Sequence, residues 1–169
     1  MKINIQEAKE LLQSGKVVAI PTETVYGLAG NAFSSEAVQK IFEAKERPTF
    51  DPLIVHVSEK NLNHPSPIKA LVDQGIVHAD VLEWKSLEQI ESAIHKFWPG
   101  PLTIVLPRGH MIPNEVTANQ DTVAIRMPAH RWFQEILFRV PFPLAAPSAN
   151  RFGRISPTQA AHVEQELNG

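Results

Sequence analysis

Residues 17–30 read Val-Val-Ala-Ile-Pro-Thr-Glu-Thr-Val-Tyr-Gly-Leu-Ala-Gly. The β-branched apolar run Val17 to Ile20 predicts a strand, and it stops at Pro21, which has no N–H to continue a ladder. That strand delivers a polar turn. On its N-terminal side, Asn4 to Gly15 begins at a capping residue, puts Ala8, Leu11 and Leu12 on one face and stops at a glycine, which predicts a helix. On its C-terminal side, Ser35 to Ala44 spaces Ala37, Val38, Ile41 and Phe42 as a helix does, and Leu53 to Val57 is again strand-like. The chain thus starts α-β-α-β.

The same alternation continues. Ser86 and Gln89, three apart, fit a capping box that opens a helix to about Phe97, where Trp-Pro-Gly-Pro breaks it. Leu102 to Leu106 and Thr122 to Arg126 read as strands, and His130 to Phe138 as an amphipathic helix. A short strand and loop follow in Pro141 to Asn150, and Ser156-Pro157 opens a last helix with proline at the permitted first position. Residues 58–85 carry the least pattern, with a short helix at Ile68 to Asp73, and read as an insertion or variable region. Strands alternating with helices predict an α/β or α+β layered fold, and 169 residues fit one domain, 1–169.

Composition narrows the chemistry. No apolar run approaches the roughly 18 residues that span a bilayer, and Met1 to Leu12 lacks the apolar core of a secretory signal, so the expected setting is cytoplasmic, with no membrane partner. With no cysteine, disulfides, Cys-ligated zinc and thiol nucleophiles are excluded. The net charge of −2 hides an asymmetry: residues 100–155 hold 6 arginines against 3 acids. That excess suits oxyanions, or equally a solvated face. The 14 prolines exceed the average share of about 5%, and Pro21, Pro48, Pro52, Pro99, Pro101, Pro128 and Pro147 fall at predicted strand or helix ends, where rigid loops can present site residues.

No phosphate loop, G-x-G-x-x-G, H-E-x-x-H or G-x-S-x-G is present. Four polar clusters remain, each beside a predicted strand end: Thr22 to Gly27; Lys45 to Pro48 with Asp51 and His56; Thr122 with Arg126; and Ser148 to Asn150 with Ser156. Lys45 and Arg47 are explained by capping a helix dipole, or alternatively as a fixed pair of phosphate donors. Ser148 and Asn150 suit a self-satisfied turn or neutral contacts to a nucleotide. His56 reads locally as a core or edge histidine, Thr122 and Arg126 share a strand face, and Trp84, Trp98 and Trp132 read as packing residues.

Together the clusters resemble the YrdC-like threonylcarbamoyl-AMP synthases across nearly the whole chain. The resemblance rests on Pro21 to Leu28 (P-T-E-T-V-Y-G-L), the K-x-R-P…P-L…H stretch Lys45 to His56, Phe97 to Thr103 (F-W-P-G-P-L-T), R-x-P at Arg126 to Pro128, and S-x-N at Ser148 to Asn150. It implies a twisted mixed sheet flanked by helices around a concave basic cleft. It also implies a nucleotidyl transfer in which L-threonine, bicarbonate and ATP give threonylcarbamoyl-AMP and pyrophosphate, for threonylcarbamoyladenosine in tRNA.

The substrate carbamate is the nucleophile in that reaction, so a chain without cysteine or a serine elbow suffices. The resemblance assigns Lys45 and Arg47 to ATP phosphates and catalysis, Asp51 and Thr122 to the nucleotide site, and Ser148, Asn150 and Ser156 to the adenylate. Thr24, His56 and Arg126 would hold threonine, with Arg126 on its carboxylate and Tyr26 closing the pocket. Mg²⁺ is expected on the ATP phosphates rather than in a protein cage, so no metal ligand is assigned. Downstream threonylcarbamoyl-transferase proteins are the implied partners. Asp51 stands where the family more often has Asn, and relatives usually continue beyond the last helix, so a missing C-terminal segment is expected. The alternative reading is a double-stranded RNA or tRNA-binding module without catalysis, which would bind with a steep salt dependence.

Overall fold

The computed structural model describes residues 3–46, 48 and 51–167. Helix α1 (Ile5–Gln13) opens on a reciprocal capping box: Asn4 Oδ1 accepts the Glu7 N–H at 3.0 Å and Glu7 Oε2 accepts the Asn4 N–H at 2.7 Å. It leads into β1 (Val18–Pro21), whose terminal proline is tolerated because β1 lies at the sheet edge. The chain then turns into β2 (Tyr26–Asn31), antiparallel to β1, with Val18 opposite Ala29 and Pro21 opposite Tyr26. Sequence reading missed β2, because Gly27, Ala29 and Gly30 carry no β-branched signal.

Helix α2 (Ser35–Lys45) starts where Ser34 Oγ accepts the Ala37 N–H at 3.2 Å and ends at Glu46, whose φ of 50° is left-handed. It lies close on β2. A Cβ at Gly30 would meet Ile41 Cδ1 at 3.2 Å and the Ala37 carbonyl oxygen at 3.3 Å.

The remaining strands are β3 (Ile54–His56), β4 (Thr103–Pro107), β5 (Thr122–Arg126) and β6 (Leu144–Ala145), and the order across the sheet is β1-β2-β6-β3-β5-β4. The β3–β5 pair is parallel and the other pairs are antiparallel among the described residues. This is the layered mixed-sheet fold expected from the sequence. The period of two sends alternate residues to two cores. Val18, Ile20, Ala29 and Leu144 pack with α1 and with α6 (Arg131–Arg139), through Leu12, Phe133 and Ile136. Leu28, Val55, Ala145 and Ile125 join α2 residues Val38 and Ile41 in the larger core.

Residues 58–85 form two 3-10 turns (Glu59–Leu62 and Ala79–Glu83) around α3 (Pro67–Asp73), and Ile68, Leu71, Ile76 and Val81 are fully buried in the larger core. The segment is also tied by its backbone: the Gly109 N–H donates to the Ile76 carbonyl at 2.9 Å and the Met111 N–H to that of Gly75 at 3.0 Å.

Three local expectations are corrected. Helix α4 (Leu87–Phe97) follows Ser86 as predicted, but the Ser86 side chain makes no capping bond. After the short α5 (Asn114–Thr117), the last helix, α7 (Ala160–Leu167), begins beyond Ser156-Pro157. Pro157 instead offers its carbonyl to the Tyr26 N–H at 2.8 Å. Of the tryptophans only Trp98 packs in the core; Trp84 and Trp132 are exposed.

Candidate functional site

The parallel register sets His56 directly beside Arg126 at the ends of β3 and β5, so their side chains leave the same face of the sheet. His56 is buried, and its ring lies 4.8 Å from that of Phe133 on α6. Burial, then the adjacent Arg126 charge, pushes the imidazole down to about 4, against smaller opposing effects from the Leu144 and Ile54 backbone and Glu23. His56 is therefore neutral at pH 7. Its Nδ1 is buried and lacks a hydrogen-bond partner.

Arg126 reaches the turn between β1 and β2. Its Nη2 donates to Glu23 Oε1 at 2.9 Å, and the same carboxylate oxygen accepts the Ala129 N–H at 2.8 Å. Partial burial of Glu23 opposes ionisation, but the Ala129 N–H and Arg126 outweigh it and hold the carboxyl below its usual range. Arg126 Nε is buried without a partner.

A second group gathers around the loop after β6. Lys45, the last residue of α2, is only 1% exposed, and its Nζ donates to the carbonyl oxygens of Ser148 and Asn150. The resemblance assigns this ammonium to phosphate; in the structure it binds the loop carbonyls. Asn150 is buried, and its Nδ2 donates to the carbonyls of Arg151 and Arg154, both at 2.8 Å. Its Oδ1 has no partner. The Ala149 N–H donates to the Tyr26 carbonyl at 2.7 Å, and Gly27 forms a bridge with Ser148. Tyr26 thereby ties the motif that opens at Pro21 to both the Ser148–Asn150 loop and the Ser156-Pro157 segment.

Other predicted residues lie apart. Thr122 is exposed at the far end of β5, four residues from Arg126, about 13 Å at the usual strand rise. Thr24 is exposed, with its N–H on Thr22 Oγ1 at 3.3 Å. Asp51 is half-buried before β3, and its N–H donates to the Pro48 carbonyl at 3.4 Å. Arg47 lies outside the described residues. The arginine excess of residues 100–155 is largely neutralised: Arg126, Arg139, Arg151 and Arg154 pair with Glu23, Glu135, Glu46 and Glu166.

A hollow of about 500 Å³ lies between α1, β1, α6 and α7, lined by Ile20, Tyr26, His130, Trp132 and Val163 among others. Of the residues the sequence reading gave a role in the site, Tyr26 lines it, while Lys45, His56, Arg126, Ser148 and Asn150 do not. Its walls are mostly apolar, with Asn4, His130 and Glu164 as polar exceptions, and it offers no arginine or lysine to a phosphate or carboxylate; buried unpaired polar atoms mark the chemistry better than volume does. Six such atoms occur among the described residues, and three of them belong to Arg126, His56 and Asn150. Glu23 is the residue that the sequence reading left without a role, because nothing local announces a partner 103 positions away.

Fold and site together define a mixed α/β domain with a histidine–arginine pair at adjacent strand ends and a lysine-anchored polar loop. Residues 10–169 match the model of the Sua5/YciO/YrdC family, described as "Telomere recombination", and the chain belongs to that family. A curated relative from Pyrococcus abyssi, named threonylcarbamoyl-AMP synthase, is 42% identical over 165 residues, which are 98% of this chain and 44% of that protein. A Bacillus subtilis protein of the same name is also 42% identical, over 170 residues, 98% of this chain and 43% of its own length. The crystal structure of P. abyssi Sua5 complexed with L-threonine matches with a TM-score of 0.81 at 40% identity, covering 98% of this chain and 45% of that one. This chain spans less than half the length of these relatives.

Proposed function

We propose that this chain carries the site for forming threonylcarbamoyl-AMP from L-threonine, bicarbonate and ATP, with release of pyrophosphate, in the service of tRNA modification. One observation carries the reading: buried Arg126 Nε, His56 Nδ1 and Asn150 Oδ1 are all left without partners, on residues that line two neighbouring groups of the same fold. Buried polar atoms of this kind are costly unless something satisfies them, and a polar substrate does so. The relatives' names and the threonine complex of P. abyssi Sua5 support the same chemistry.

In this reading the Arg126 guanidinium takes the threonine carboxylate, which suits its fork of donors. Neutral His56 lines the same end without adding charge, and Thr24 belongs to the turn whose Glu23 holds Arg126. Ser148, Asn150 and Ser156 contact the adenylate, and Lys45 serves that site through the loop it anchors, with Arg47, Asp51 and Thr122 completing the phosphate and nucleotide contacts. The protein supplies position and charge neutralisation, while the attacking oxygen belongs to the threonine carbamate. Mg²⁺ would travel with the triphosphate, whose oxygens suit a hard cation. No helix of the described residues is long and apolar enough to cross a membrane.

Incubation with ATP, L-threonine and bicarbonate, followed by mass spectrometry of the products, tests the proposal. Threonylcarbamoyl-AMP is the expected product. ATP hydrolysis indifferent to threonine, or salt-sensitive RNA binding with no adenylate product, would contradict it.

A further inference from the structure

The turn that carries Glu23 is closed on itself. Thr22 Oγ1 donates to the Val25 carbonyl at 2.6 Å and accepts the N–H groups of Thr24 and Val25 at 3.3 and 3.2 Å, while the Thr22 N–H donates to the same Val25 carbonyl at 3.0 Å. Such a turn presents Glu23 from a fixed base. Its Oε1 bridges the Ala129 N–H and Arg126 Nη2, with the two side chains only 27% and 22% exposed. The clamp takes one guanidinium nitrogen and leaves Nε buried and unpartnered on the same side chain.

We propose that Glu23 is the positioning residue of the carboxylate site: it fixes the Arg126 guanidinium so that the unpartnered Nε–H is held for an incoming amino-acid carboxylate. An arginine side chain held by nothing loses rotamer freedom when a ligand arrives, and a clamped one has lost it already. Glu23 also neutralises part of the Arg126 charge. Its carboxylate opposes a ligand that brings only negative charge and tolerates one that brings an ammonium group as well, as an α-amino acid does. The inference rests on the proposed threonine role of Arg126.

The test is calorimetric titration of the full chain with L-threonine, and separately with ATP, for wild type, Glu23→Ala, Glu23→Gln, Arg126→Ala and the Glu23→Ala/Arg126→Ala double variant. Glu23→Ala is expected to weaken threonine at least tenfold while ATP affinity stays within twofold. Glu23→Gln, which can still accept from Ala129 and Arg126, is expected to recover most of that loss. In the double variant the Glu23 change should add nothing further, because its effect passes through Arg126. Threonine binding by Glu23→Ala equal to or tighter than wild type, with Arg126→Ala strongly impaired, would overturn the positioning role alone. Unchanged threonine binding in Arg126→Ala, or none in the wild type, would overturn the underlying reading.

Discussion

The Nζ of Lys45, at the end of α2, donates to the carbonyl oxygen of Ser148, 103 positions later in the chain. With a second bond to Asn150, one buried ammonium fixes the loop that holds two predicted adenylate contacts. Replacement by methionine keeps the length of the side chain and leaves both carbonyls without this donor. Lys45→Met is expected to lower stability by about 2 to 4 kcal/mol, the range for stripping a charged donor from buried acceptors. Urea denaturation reads the loss, and hydrogen exchange at the Ala149 and Phe152 amides reads the loosened loop. Unchanged exchange there would contradict the anchoring role.

His56 sets a pH dependence. Its folded value near 4 lies below the usual 6.5, so between these values the unfolded chain takes up a proton that the folded chain refuses. Stability attributable to His56 is therefore full above pH 6.5 and falls as the pH drops towards 4, by about 3 kcal/mol in total. Denaturation of wild type and His56→Leu across pH 7 to 4.5 isolates this contribution. The wild type should lose more stability than the variant over that interval, and parallel curves would contradict the buried neutral imidazole.

Close backbone approach accounts for two glycines. A Cβ at Gly109 would sit 2.1 Å from the Gly75 carbonyl oxygen, so Gly109→Ala must push residues 75–76 away from the chain after β4. The expected loss is about 2 kcal/mol or more, against about 1 kcal/mol for Gly30→Ala, whose Ile41 contact can relax. Thermal melting of the two variants should rank them in that order. A Gly109→Ala melting curve superimposed on the wild type would show that the 58–85 segment is not held as described.

Much of the framework was legible because it is local. Val17 to Ile20, Thr122 to Arg126 and the helix from Ser35 announce themselves by β-branching or a helical period, and the structure keeps them within a residue or so. β2 escaped because Gly27, Ala29 and Gly30 carry no β-branched signal, and Gly30 serves close packing against α2 instead. The start of α7 was misplaced because Pro157, well suited to a first helical position, is used for its carbonyl instead. At the site, residue types were readable but not their partners. Lys45 reads as a helix-dipole cap or a phosphate donor and Glu23 as one turn residue among several, since both meet partners 103 positions away that only the sheet order brings near.

The threonine role of Arg126 is tested by the initial rate of pyrophosphate release with ATP, L-threonine and bicarbonate together and with each withheld in turn, for wild type and Arg126→Ala. Release is expected to require all three compounds, and Arg126→Ala to need at least tenfold more threonine for half-maximal rate. Release that continues without threonine, or an Arg126→Ala variant with the same threonine requirement as wild type, would contradict it.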